Sequence, residues 1–231
     1  TENKYLGLKP GEARRRNRCT DSNTHIKDGI ADLAVKKGMS VGFVTNSAIT
    51  DATPAALYAK GSYRDHHAAG TYNDSCPDIA KQLLDFPANK FKVLMAGGRH
   101  YLLPAGVGKG VRNDGMDIRE AWKKLGGNRH VMSKIAEFEN HTVGNDEHVL
   151  GVFYDREDID YTPHMRVLTG EKPVIPRLVN MTEMALEILK KQSTKEGFFL
   201  MVEEAAQENL LHVQSGSDCT GGSSPFGIHM P

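Results

Sequence analysis

An acid, a hydroxyl and an arginine follow one another in TDATPAALYAKGSYR, residues 50–64, directly after the apolar run SVGFVT. Asp51 and Thr53 supply oxygen donors there, and Glu203 closes a second apolar run, GFFLMVE. Carboxylates and a hydroxyl at two strand ends suit a hard cation such as Mg²⁺, which takes oxygen ligands in an octahedron and keeps several waters. Arg64 carries a planar fork that can clamp a phosphate. A plainer reading stands beside this one. Thr50 or Asp51 before an Ala-rich turn is a good helix N-cap, Pro54 suits a first turn, and Arg64 is then a surface arginine.

Other candidates are weaker. Glu208 and His212 stand four apart, on one face if helical, and that spacing permits a shared zinc ion through a carboxylate oxygen and an imidazole nitrogen; a solvated Glu–His pair is the alternative. His66 and His67 are adjacent, and neighbouring side chains usually point apart. Gly97-Gly98-Arg99 follows a strand and reads as a tight turn sooner than as an anion-binding one. The chain carries no Gly-x-Ser-x-Gly elbow, no His-Glu-x-x-His and no Walker loop.

The elements that must position these residues show in the hydrophobic pattern. Strands are expected over 40–45, 91–96 (FKVLMA), 148–153 (HVLGVF) and 197–203. Helices are expected over 24–37, with Gly38 as its stop, 76–86 (CPDIAKQLLDF), 116–125 with Trp122 on its apolar side, and 180–192 (NMTEMALEILKKQ). Unbroken apolar strands alternating with helices predict an α/β fold whose largely parallel sheet is covered by helices on both faces. Sites in such sheets lie beyond the carboxyl ends of the strands, which is where Asp51, Thr53 and Glu203 fall. After Glu203 the pattern fails, and SGSDCTGGSSP reads as loop. The expected division is therefore a domain over 1–203 and an irregular tail over 204–231.

Composition excludes several classes. The 231 residues are 39% hydrophobic and 25% charged, with zero formal net charge, ordinary values for a globular protein. No basic field argues for nucleic acid, and Arg14-Arg15-Arg16 is too short to change that. No apolar run reaches the roughly 18 residues of a membrane helix, so no membrane anchor is visible. The chain opens on Thr1, not Met, and is expected to be processed or a fragment. The cysteines are Cys19, Cys76 and Cys219; their spacing is no zinc ribbon, and one disulfide with one thiol left over fits a secreted protein. Sequons at Asn73, Asn140 and Asn180 matter only in that setting.

The stretch from Val41 to Arg64 resembles the alkaline phosphatases, whose pattern is a strand, then (D/H)-A-(T/S)-P-A, then an arginine about ten residues on; here it reads DATPAALYAKGSYRD. Further segments agree in order from about residue 20 to 203. FKVLMAGGRHYLLP is similar to the family's KVIMGGGRKYMFP, RNDGMDIREAW to its R-x-DG-x-x-L-x-x-x-W, HVLGVFYDREDIDY to its LMGLF segment, NMTEMALEILKK to its EMTEAALRLL helix, and GFFLMVE to its GFFLLVE. The resemblance implies an alkaline-phosphatase-like fold and hydrolysis of small phosphomonoesters through a phosphoserine, assisted by Zn²⁺ and Mg²⁺. It gives Thr53 and Glu203 as Mg²⁺ ligands, Asp51 as a hydrogen-bond partner of that ion's water shell, and Arg64 as the holder of the substrate phosphate. It pairs Cys19 with Cys76, and it implies an extracellular or periplasmic protein, commonly a homodimer.

The chain also departs from the family. Its D-S-A segment, with the nucleophilic serine, and its T-A-D-H segment do not occur here, and no D-G-M/F segment precedes Val41, the Asp114-Gly115-Met116 of RNDGMDIREAW belonging to a different match. VEGGRIDHGHH is replaced by VEEAAQENLLH, which puts Glu208 where a zinc-ligand aspartate stands and His212 where a zinc-ligand histidine stands. The acidic positions of a calcium site in vertebrate members fall on Tyr154 and Ile175, so no calcium is expected. The tail GGSSPFGIHMP is similar to the family's GSSIFGLAP, normally much further on. The fold is therefore expected to be incomplete, with exposed strand edges that favour association. The alternative to a phosphatase is a truncated, inactive relative that acts as a binding or scaffold module.

Overall fold

The computed structural model describes residues 28–61, 64–71, 76–155 and 174–205. Within them, β1 (Ser40–Ala48), β2 (Val93–Gly97), β3 (Asn128–Met132), β4 (Glu147–Val152) and β5 (Phe198–Glu203) form one five-stranded sheet in the order β3-β4-β2-β1-β5. Every pairing is parallel, as unbroken apolar strands require. The helices are α1 (Ile30–Lys36), α2 (Ala52–Ala55), α3 (Ile118–Lys123), α4 (Ile135–Glu139) and α5 (Leu178–Lys191). No helix among the described residues is long and apolar enough to cross a membrane.

The period of two along the strands divides the core into two clusters. Val41, Phe43, Leu94, Ala96, Leu150 and Val152 meet Ala31 and Ala34 of α1 and Ile118 and Trp122 of α3 on one face. Val44, Val93, Met95 and Val149 meet α5 on the other. The α5 residues in that contact, Met181, Ala185, Ile188 and Leu189, recur at the helical spacing that makes a single apolar stripe. The sheet is thus covered on both faces, as its sequence predicts. At the edge, β5 pairs only with β1 among the described residues, and Val202 is 44% exposed.

One expectation needs correction, and two elements were not anticipated. The helix expected over 76–86 is only a 3₁₀ turn, Lys81–Leu84. Its first N–H groups are engaged elsewhere: Ile79 N–H donates to the His66 carbonyl at 2.9 Å and Ala80 N–H to that of His67 at 3.0 Å. The Asp78 carboxylate accepts from Lys81 N–H and from the buried Arg112 guanidinium. The segment is therefore a clamp on the 64–71 loop. β3 and α4 carried no expectation. β3 is an edge strand whose NRHVM lacks an apolar run, and only Met132 is buried.

The amino end of β4 is pH-sensitive. His148 Nδ1 lies 2.7 Å from the Phe91 carbonyl, and Lys92 Nζ stands 3.3 Å from Nε2. The first contact needs an N–H donor and the second a bare acceptor, so the geometry suits a neutral ring. Burial, with the Lys92 charge adding to it, lowers its pKa from 6.5 to about 4. Between those values the unfolded chain binds the extra proton, so stability rises with pH. The contribution is complete above pH 6.5 and is lost as pH falls towards 4. Thermal melts across that window are expected to show Tm falling on acidification, with a shallower fall in His148→Gln. Equal slopes would contradict this.

Candidate functional site

The site begins with the β1–β5 register. Thr45 is the direct partner of Glu203, and the Thr45 hydroxyl donates to Glu203 Oε2 at 2.7 Å. The same hydroxyl oxygen accepts from Ser47 N–H at 2.9 Å, where β1 departs from regular pairing with β2 between Val44 and Ala48. Such an irregularity re-aims side chains at a strand end. The Ser47 hydroxyl donates to Asp51 Oδ2 at 2.8 Å, and Asp51 Oδ1 accepts from Arg64 Nη2 at 2.9 Å. One hydrogen-bonded relay therefore runs from Glu203 through Thr45, Ser47 and Asp51 to Arg64, across the carboxyl ends of β5 and β1.

The capping reading of Asp51 is realised, and the residue has a second partner. It is the N-cap of α2, its side chain accepting from Ala52 N–H at 2.7 Å, and it also holds Arg64. Thr53 is exposed on the first turn of α2. Arg64 is half-exposed, its loop fixed from several sides. Gln82 bonds both the N–H and the carbonyl of Lys60, and the 79–80 backbone holds residues 66 and 67. His67 Nδ1 lies 3.0 Å from the Thr50 hydroxyl, and its ring stacks on Tyr101 at 4.4 Å. Burial lowers the His67 pKa, the Asp51 charge pulling the other way.

The floor depends on Gly97. A Cβ there would stand 2.0 Å from the Tyr154 ring. That ring is partly buried, its hydroxyl's desolvation raises the hydroxyl pKa, and the hydroxyl donates to the Thr45 carbonyl at 3.5 Å. Beside it, Asn46 bonds the Glu204 carboxylate and accepts from Ala205 N–H at 2.7 Å.

The structure thus brings together Asp51, Arg64 and Glu203, with Thr53 two residues along. Glu208, His212 and Cys19 lie outside the described residues, so the zinc pair and the Cys19–Cys76 pairing are not placed. Among the described residues no group of three or more His, Cys, Asp or Glu side chains is arranged to hold a metal, and His66 and His67 belong to none. Arg99 is bound to Asp155 at 2.7 Å, and Gly98 takes a left-handed φ of 78°, so Gly97-Gly98-Arg99 is a structural turn.

Sequence reasoning missed Thr45, Ser47 and Gln82. The first two were detectable: hydroxyls two apart at the end of an otherwise apolar strand, on one side of the pleat. Thr45→Val keeps the shape and removes the relay's central donor. A loss of about 1–3 kcal/mol in denaturant unfolding is expected; an unchanged midpoint would show that the relay carries no stability.

An all-parallel α/β sheet with a polar rim beyond its carboxyl ends is the architecture in which such folds place their sites. Comparison with known proteins supplies the family. The family described as Alkaline phosphatase matches residues 3–215. The membrane-bound alkaline phosphatase of Bombyx mori is 32% identical over a 210-residue alignment that covers 84% of this chain and 36% of that protein. The alkaline phosphatase of Thermus thermophilus superposes with a TM-score of 0.62 at 24% identity, covering 95% of this chain and 42% of that one. A mutant of the enzyme from the Antarctic bacterium TAB5, solved with Mg bound, gives 0.56 at 19% identity over 93% of this chain and 49% of that one; likeness at these identities shows the fold. The chain belongs to the alkaline phosphatase family. It spans 36% and 38% of the lengths of the silkworm and human relatives it matches.

Proposed function

We propose that this chain is the central part of an alkaline phosphatase that hydrolyses small phosphate monoesters. The observation that carries the reading is the relay from Glu203 to Arg64, which joins two carboxylates and a guanidinium at one rim. Arg64 engages the phosphate oxygens, and Asp51 fixes its direction. Glu203 and Thr53 are the Mg²⁺ ligands, with Asp51 bonded to the ion's waters. The donor set there is oxygen only, which suits that ion. Bound metal supplies charge stabilisation and an activated oxygen nucleophile; this chain's residues bind and orient the ester. Glu208 and His212 are the proposed zinc pair. The phosphoserine is contributed by a segment that does not occur in this sequence.

The wider expectations travel with this reading. Residues 1–203 form the partial domain and 204–231 a diverged tail. The protein is extracellular or periplasmic, carries glycans at its sequons and forms a homodimer. Cys76 takes part in a disulfide, which supports pairing with Cys19. The second reading, an inactive binding or scaffold module, is favoured by VEEAAQENLLH standing where the family has VEGGRIDHGHH.

The test is turnover of a chromogenic phosphate monoester at alkaline pH with Zn²⁺ and Mg²⁺, with a chelator control and Arg64→Ala, beside phosphate binding followed by ³¹P NMR. Turnover abolished by both controls supports the enzyme. Phosphate binding that needs Arg64, without turnover, supports the binding module. Neither signal in a folded sample overturns both readings.

A further inference from the structure

A second cavity lies at the opposite end of the sheet, among the amino ends of β1, β2, β4 and β5. Its volume is about 640 Å³, within the roughly 300–1,000 Å³ of small-molecule sites. Its apolar wall includes Met39 and Phe86. Phe86 is 45% exposed, with Lys36 Nζ 5.9 Å from its ring centroid. Its polar wall is cationic: Lys90, Lys92 and Lys191 against the single acid Asp146. Asp146 is committed to Lys92 at 2.7 Å, and Lys191 Nζ donates to the Val143 carbonyl at 2.6 Å. Lys90 has no ion pair among the described residues, so positive charge is left over.

An aromatic wall and ammonium charge left without a carboxylate describe the complement of one kind of molecule. We propose that this cavity binds a small amphiphilic anion, its carboxylate, sulfonate or phosphate head against Lys90 and Lys191 and its apolar body over Phe86 and Met39. The site is separate from the Asp51–Glu203 rim and does not depend on the phosphatase reading.

The probes are naphthalene-2-carboxylate and naphthalene-2-sulfonate, with uncharged 2-naphthamide as control. They are titrated into the chain and followed by calorimetry and backbone-amide NMR. Both anions are expected to bind and to shift the amides of Gly38, Ser40 and Thr194 but not that of Asp51, with naphthamide weaker by at least about tenfold. Lys90 is an exposed residue, so Lys90→Gln should leave Tm unchanged while weakening both anions about tenfold; Phe86→Leu should weaken all three probes. No anion binding at millimolar concentration, indifference to Lys90→Gln, or shifts confined to the other end of the sheet would each overturn the proposal. Binding of one anion alone keeps the site and narrows its head group.

Discussion

Arg64→Ala is expected to abolish the phosphate binding proposed for this rim while leaving the fold almost untouched. The stability side follows from exposure. Arg64 and Asp51 side chains are 38% and 33% exposed, and an ion pair so open to water contributes about 0–1 kcal/mol. The binding side follows from charge. In the proposed site a phosphate oxygen would lose a charge-assisted donor fork, a large loss because hydrogen bonds between ionised groups are roughly twice as strong as neutral ones. Arg64→Lys restores charge without the fork and is expected to recover only part of the loss. Phosphate binding and thermal melts on the same samples decide it. A large fall in Tm would make Arg64 a structural residue; unchanged binding would remove it from the site.

The largest loss of stability is expected at Asp78. Its carboxylate meets Arg112 through both guanidinium nitrogens, at 2.9 and 3.0 Å, and the Arg112 side chain is fully buried. Asp78→Ala leaves that cation with Asp114, at 2.6 Å, as its one carboxylate partner among the described residues. Breaking a buried pair from one side costs about 3–5 kcal/mol, or roughly 6–20 °C in Tm for a domain of this size. Asp78→Leu combined with Arg112→Met removes both charges and is expected to recover much of the loss. Because residues 78–82 clamp the loop carrying Arg64, the single variant should also weaken phosphate binding, and the double variant should do so less. A single variant as stable as the parent would refute the clamp.

What could be read from sequence divides along physical lines. Buried strands were legible because burial on both faces leaves apolar runs such as FKVLMA and GFFLMVE. The helix α5 was legible because one buried face imposes a period. The edge strand β3 was not, since it is half open to water. The segment 76–86 misled because its pattern is helical while its N–H groups serve the loop beside it, a tertiary demand that local sequence does not show. Within the candidate site, Asp51 and Glu203 were visible at or just past strand ends, with Arg64 in the loop beyond. The relay was not, because it depends on which strand lies beside β1: Thr45 and Glu203 are 158 positions apart.

The polar end of β5 has a consequence beyond chemistry. Phe198 and Leu200 face one core cluster, Phe199 and Met201 the other, so hydrophobicity alone barely distinguishes this strand from itself shifted by one residue. Alignment then falls to the directional bonds at its end, Thr45 with Glu203 and Asn46 with Glu204 and Ala205. Glu203, proposed to serve the metal, is also one of the residues that index the strand. The evolvability of this rim is correspondingly narrow: a lineage that discards the chemistry must still keep hydrogen-bonding residues here, and conservation of Glu203 in an inactive descendant would record a folding constraint, not surviving catalysis.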